Sequence, residues 1–116
     1  MKVSIGSKIV NGPWGGGNLF VKNLSNFLIN NGHDVIYDLG DKDIDLILLT
    51  DPRSRKESSS TFNHQDIESY KKYINQNVSV VQRINECDER KNTTGTNQIY
   101  LEAVSYTHLT LPTILL

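Results

Sequence analysis

The chain has 116 residues, enough for one small domain. A net charge of −1, with 22% charged and 37% hydrophobic residues, excludes a strongly basic nucleic-acid surface and an acidic tail. The lone Cys87 excludes an internal disulfide, and residues 1–6 form too short an apolar run for a signal-peptide core or a membrane span. Sequons begin at Asn23, Asn77 and Asn92, but without a secretory signal they carry no expectation of glycosylation. The expected location is cytoplasmic.

Residues 2–10 alternate and are β-branched, which predicts a first strand. The following run, Asn11-Gly12-Pro13-Trp14-Gly15-Gly16-Gly17, breaks both regular periods and predicts a loop. From Asn18 the period becomes helical: Phe20, Leu24, Phe27 and Leu28 fall on one stripe, with Lys22, Asn23, Ser25, Asn26 and Asn30 on the other faces. Asn18 has the chemistry of an N-cap, and Gly32 stands where a C-cap glycine belongs.

Residues 33–37 predict a second strand, 40–43 a turn, and 44–50 a strand whose continuous apolar run suits burial on both faces. Residues 52–61 are polar. A second helix is predicted after Asn63, with Ile67, Tyr70 and Ile74 on its apolar face, then a strand over 78–84 and a charged loop over 85–95. Residues 96–102 read as the opening of a third helix. Strands alternating with helices predict an α/β fold with a parallel, helix-covered sheet.

The glycine run lies between a strand and a helix amino terminus, where free N–H groups and the helix dipole favour a phosphate. It supplies neither G-x-G-x-x-G nor the Lys-Ser/Thr of a Walker loop, so a plain tight turn stands beside the phosphate reading. Trp14 is either a stacking residue over a sugar or a hydrophobic anchor. His33 reads as structural, His64 has only Asp66 nearby and no third metal ligand, and Cys87 reads as a plain thiol. No metal or cofactor is expected.

Residues 15–24, running into Leu28-Ile29-Asn30-Asn31-Gly32-His33-Asp34-Val35, resemble the opening of the N-terminal domain of GT-B glycosyltransferases of the family-four type. Residues 81–91 resemble the end of the fourth strand and its loop in one subgroup of that family. The resemblance covers most of residues 1–102. It implies an incomplete Rossmann-like sheet over residues 1–103, the acceptor-side part of a hexosyltransferase that takes a nucleotide-sugar donor and a glycan or other acceptor. It further implies donor-phosphate contacts for Gly15, Gly16, Gly17 and Asn18, and substrate contacts for Trp14 and Arg83. Asn85, Glu86 and Asp88 stand where the family often carries a His-Asp pair; the histidine is missing here, and a solvated charged loop is the competing reading. Retention of configuration without a metal is the family's expectation.

Residues 104–113 match, position by position, one reading frame of a transposon-end sequencing adapter (GTC TCT TAT ACA CAT CTG ACG CTG CCG ACG). That resemblance implies a non-native tail over residues 104–116, with His108 inside it, and a truncated fragment that is inactive alone. An ordinary edge strand is the other reading of the tail. Two further functional readings stand beside the enzyme fragment: a stand-alone nucleotide- or phosphate-binding module, and a functionless truncated product.

Overall fold

The computed structural model describes residues 1–9, 16–51, 60–83, 92 and 94–104. Within them the order is β1 (Lys2–Ile5), α1 (Gly16–Asn30), β2 (Asp34–Ile36), β3 (Leu46–Leu49), α2 (His64–Tyr73), β4 (Ser79–Gln82) and α3 (Thr96–Val104). The four strands form one sheet in the order β2-β1-β3-β4, and every pairing is parallel. The α/β class with a parallel sheet and covering helices is therefore present, as the alternation of elements predicts.

The alternation along each strand divides the core between two faces. Val3 and Ile5 of β1, Leu48 of β3 and Val21 of α1 make one cluster, joined by Leu24, Leu28, Val35 and Val81. Ile47 and Leu49 of β3, Val80 of β4, and Ile67 and Tyr70 of α2 make the other, with Phe62 and Val78. Consecutive residues of β3 thus enter opposite clusters, which is why its apolar run is unbroken. The crossover through α1 steps from β1 to β2, and the one through α2 steps from β3 to β4 in the opposite direction. Two crossovers of one hand stepping in opposite directions must lie on opposite faces, as these helices do.

Helix α1 begins at Gly16, so Asn18 lies inside its first turn and is not the N-cap predicted for it. Its buried stripe also differs from the prediction. Val21 and Ser25 are fully buried, and Phe27 is 62% exposed. Ser25 can turn inward because its hydroxyl accepts a 3.0 Å hydrogen bond from Tyr37 Oη, which satisfies a polar group a hydrophobicity pattern would place outside. The C-terminus follows the glycine rule: Gly32 has φ +83°, its N–H donates to the Ile29 carbonyl, and the His33 N–H donates to Leu28. This is the paired arrangement of a Schellman cap, which needs a residue tolerant of the left-handed region.

Helix α2 starts at a reciprocal capping box. The Asn63 side chain accepts from the Asp66 N–H, and the Asp66 carboxylate accepts from the Asn63 N–H, both at 3.0 Å. Ile67 and Tyr70 are buried as predicted, whereas Ile74 is the C-cap and half exposed. The Tyr70 hydroxyl donates to the Asp41 carbonyl at 2.7 Å and accepts from the Ile44 N–H at 3.3 Å, tying α2 to the β2–β3 connection. That connection holds no helix among its residues 37–45. Strand β1 is shorter than predicted, ending at Ile5, after which Ser7 bridges Ser60 in antiparallel fashion.

Candidate functional site at the carboxyl edge of the sheet

In an open parallel sheet the strands on either side of the point where the chain reverses its stepping direction leave a crevice at their carboxyl ends. Here that point lies between β1 and β3. The residues just past both strands are small and polar: Gly6 and Ser7 after β1, Thr50 and Asp51 after β3.

They are held together by a compact set of bonds. Thr50 Oγ1 donates to the Gly6 carbonyl at 2.6 Å, and the Thr61 N–H donates to the same oxygen at 3.2 Å. Ser60 Oγ donates to the Asp51 carbonyl at 2.8 Å. Gly6 is required by proximity: a Cβ there would stand 2.8 Å from Phe62 Cε1 and 3.2 Å from the Leu48 carbonyl oxygen. Asp51 is only 5% exposed, an acidic residue buried two positions past the end of β3. Ser7, Thr50, Asp51, Ser60 and Gln82 are buried polar residues of this edge that motif reading missed. The available signal was positional: polar residues placed directly after an apolar strand run.

Arg83 follows β4 at the same edge. Its N–H donates to the Leu49 carbonyl at 2.8 Å, which extends the β3–β4 ladder by one residue. Its guanidinium carbon lies 4.3 Å from the centre of the Phe20 ring, a close cation–π stack. Phe20 is four residues from Gly16, about one helical turn. A half-buried cation is therefore fixed one turn from the amino end of α1, where the helix carries its own partial positive charge.

Of the predicted site residues, Gly16, Gly17 and Asn18 form the first turn of α1, and Arg83 stacks on its second. Trp14, Gly15, Asn85, Glu86 and Asp88 lie outside the described residues. His33 contacts the Met1 amino group through Nδ1 at 3.0 Å, joining the end of α1 to the start of β1. Among the described residues, no group of three His, Cys, Asp or Glu side chains converges as a metal site.

A second concavity, of about 420 Å³, lies on the α2 face of the sheet. It is bordered by Asp38 and Leu39 of the β2–β3 connection, by Thr61 and Phe62, and along α2 by Tyr70 and Tyr73. On this face β1 presents Ser4, whose hydroxyl donates to the Asp38 carbonyl at 2.6 Å, and Gly6. With no helix between β2 and β3, this strip of sheet is covered by the connection at Ser4 and by Phe62 at Gly6.

No family model, curated protein or solved structure matches the chain. No helix among the described residues is long and apolar enough to cross a membrane.

Proposed function

We propose that the chain is part of the acceptor-side domain of a GT-B glycosyltransferase that uses a nucleotide-sugar donor, and that it does not transfer sugar by itself. The observation that carries this reading is the stack of Arg83 on Phe20, one turn from Gly16 and Gly17. A guanidinium and a helix amino end on one side of a parallel-sheet crevice suit a diphosphate, whose charge grows as the sugar leaves. The sequence resemblance supplies the sugar-transfer chemistry: the bond from the anomeric carbon to the diphosphate oxygen breaks, the acceptor oxygen bonds to that carbon, and the acceptor's proton passes to the departing diphosphate. Asn85, Glu86 and Asp88 are the residues proposed nearest that exchange, and Trp14 and Gly15 those proposed at the substrate and the donor phosphate.

The donor domain and the remainder of the active site lie in the parent enzyme on this reading, so nucleotide-sugar and glycan acceptor are its partners there. A cytoplasmic location belongs to the same proposal, since nothing in the composition asks for an oxidising compartment.

The test is a titration of the full chain with uridine diphosphate and its sugar conjugates, followed by amide chemical shifts, beside a nucleotide-release assay. Weak binding that shifts the first turn of α1 and Arg83, with no turnover, is expected. Robust turnover by the isolated chain would sink the fragment reading. Tight nucleotide binding lost in Gly16→Val would favour a stand-alone binding module instead.

A further inference from the structure

We propose that the groove between α2 and the β2–β3 connection is a binding site for a small organic cation, a primary ammonium carried on an apolar or aromatic body. This site adjoins the phosphate-favouring crevice, with Thr61 and Phe62 between the two, and does not rest on the glycosyltransferase reading.

Size and lining set the class of occupant. A volume of about 420 Å³ lies within the range of small-molecule sites, which combine an apolar wall with a few directing polar groups. The wall here is Leu39, Phe62, Tyr70, Tyr73 and Ile74. Tyr73 is 75% exposed and Ile74 half exposed, a large cost in uncovered apolar area for two adjacent residues. Tyr70 and Phe62 form the buried floor.

Charge sets its sign. The described lining carries the carboxylates of Asp38 and Asp66 and neither lysine nor arginine. One oxygen of Asp38 accepts from the Gly40 N–H at 3.0 Å, which fixes the side chain in its turn and leaves its other oxygen at an exposed position. An anionic ligand would meet two negative charges in this described lining, whereas an ammonium would meet a carboxylate and the exposed Tyr73 ring. The Lys72 ammonium lies 5.4 Å from the centre of the Tyr73 ring, so a ligand ammonium takes that ring by displacing Lys72 or on the opposite face.

A polar atom with unmet capacity completes the site. Thr61 Oγ1 is buried and, among the described residues, has no hydrogen-bond partner. Buried hydroxyls are rarely left so, and an ammonium that displaced the groove wall at Thr61 far enough to reach the oxygen would satisfy it. The residue's backbone is already engaged, its N–H donating to Gly6, so the side chain is positioned without being used.

The experiment uses three isosteric probes on the full chain: phenethylamine, phenethyl alcohol and phenylacetate, each titrated against amide chemical shifts. Phenethylamine is expected to give saturable shifts at Leu39, Thr61, Ser69 and Tyr73, binding about five-fold more tightly than the alcohol, with phenylacetate weakest. Asp38→Asn keeps the oxygen that accepts from Gly40, so the turn is retained while the charge is lost. That variant is expected to bring the amine to the affinity of the alcohol and leave the alcohol unchanged. Equal binding of amine and alcohol by the unaltered chain, preference for phenylacetate, or no saturable shift in the groove would each overturn the proposal. Thr61→Val is an independent check: an unchanged amine affinity there would remove the hydroxyl from the site, and an unchanged amine preference in Asp38→Asn would remove the charge.

Discussion

Arg83 stacks its guanidinium 4.3 Å from the centre of the Phe20 ring, joining the residue after β4 to the second turn of α1 across the carboxyl edge of the sheet. The two side chains come from elements far apart in sequence, and the contact fixes a cation that would otherwise sweep through solvent. Arg83→Lys keeps the charge but loses the planar stack, because an ammonium on a flexible stem cannot lie flat on a ring. Its expected result is weaker diphosphate binding with a stability change of no more than about 1 kcal/mol. Parallel titrations and urea unfolding of Arg83→Lys and Phe20→Leu check this; a loss of binding in neither variant would detach the stack from ligand recognition.

Gly6 leaves no room for a methyl group. A Cβ would lie 2.8 Å from Phe62 Cε1 and 2.9 Å from Cζ, and 3.2 Å from the Leu48 carbonyl oxygen, with Phe62 itself buried. Gly6→Ala is expected to destabilise by roughly 1–3 kcal/mol through overpacking. Adding Phe62→Leu should return part of that loss, since a smaller side chain relieves the shortest contacts. Denaturant midpoints of the single and double variants measure it, and a purely additive pair would disprove the clash.

The inward face of α1 makes a sharp pair of expectations. Val21 is 1% exposed and Phe27 is 62% exposed. Val21→Ala should therefore cost roughly 1–3 kcal/mol, while Phe27→Ser should stay within about 0.5 kcal/mol. Thermal unfolding distinguishes them, and the reverse ranking would mean that the helix presents a different face to the sheet.

Lys2 lies between two carboxylates, with Nζ 2.8 Å from Asp41 and 2.7 Å from Asp43. Hydrogen bonds to Asp41 and then Asp43 raise the lysine above its ordinary range. The hydrogen bond from Lys2 lowers Asp43 below its ordinary 3.8. A raised lysine contributes stability throughout the range below its ordinary value, and loses it as pH rises through the folded value. A depressed aspartate contributes above its ordinary value and loses it as pH falls through the folded one. Lys2→Gln should thus lower the thermal midpoint modestly at neutral pH. The difference should shrink on acidification below the carboxylate range, and added salt should reduce it because Asp43 is largely exposed. A difference that stays constant into acid would show that the lysine acts through packing alone.

Much of the fold was legible in local sequence because its signals are local. Asn63 and Asp66 are three residues apart, the spacing that lets each cap the other, and the helix begins where they place it. Gly32 ends α1 because the left-handed turn there favours a residue without a Cβ. The unbroken apolar run at 46–49 foretold burial on both faces, and alternation of strands and helices foretold a parallel sheet.

Tertiary structure alone decided the rest. Ser25 is buried and Phe27 exposed because Tyr37, on the far side of the turn, offers Ser25 a hydrogen bond that no helical wheel contains. Helix α1 starts at Gly16 although propensity weighs against glycine in a helix, so the local pattern placed its start later, at Asn18. The buried polar edge of Thr50, Asp51 and Ser60 exists only once β1, β3 and residues 60–62 meet, and Arg83 finds Phe20 only when β4 completes the sheet. Capping, turn and periodicity act over a few residues and so are written in the sequence itself. Which polar group may be buried, and which cation is held still, depends on partners that only the folded chain brings within reach.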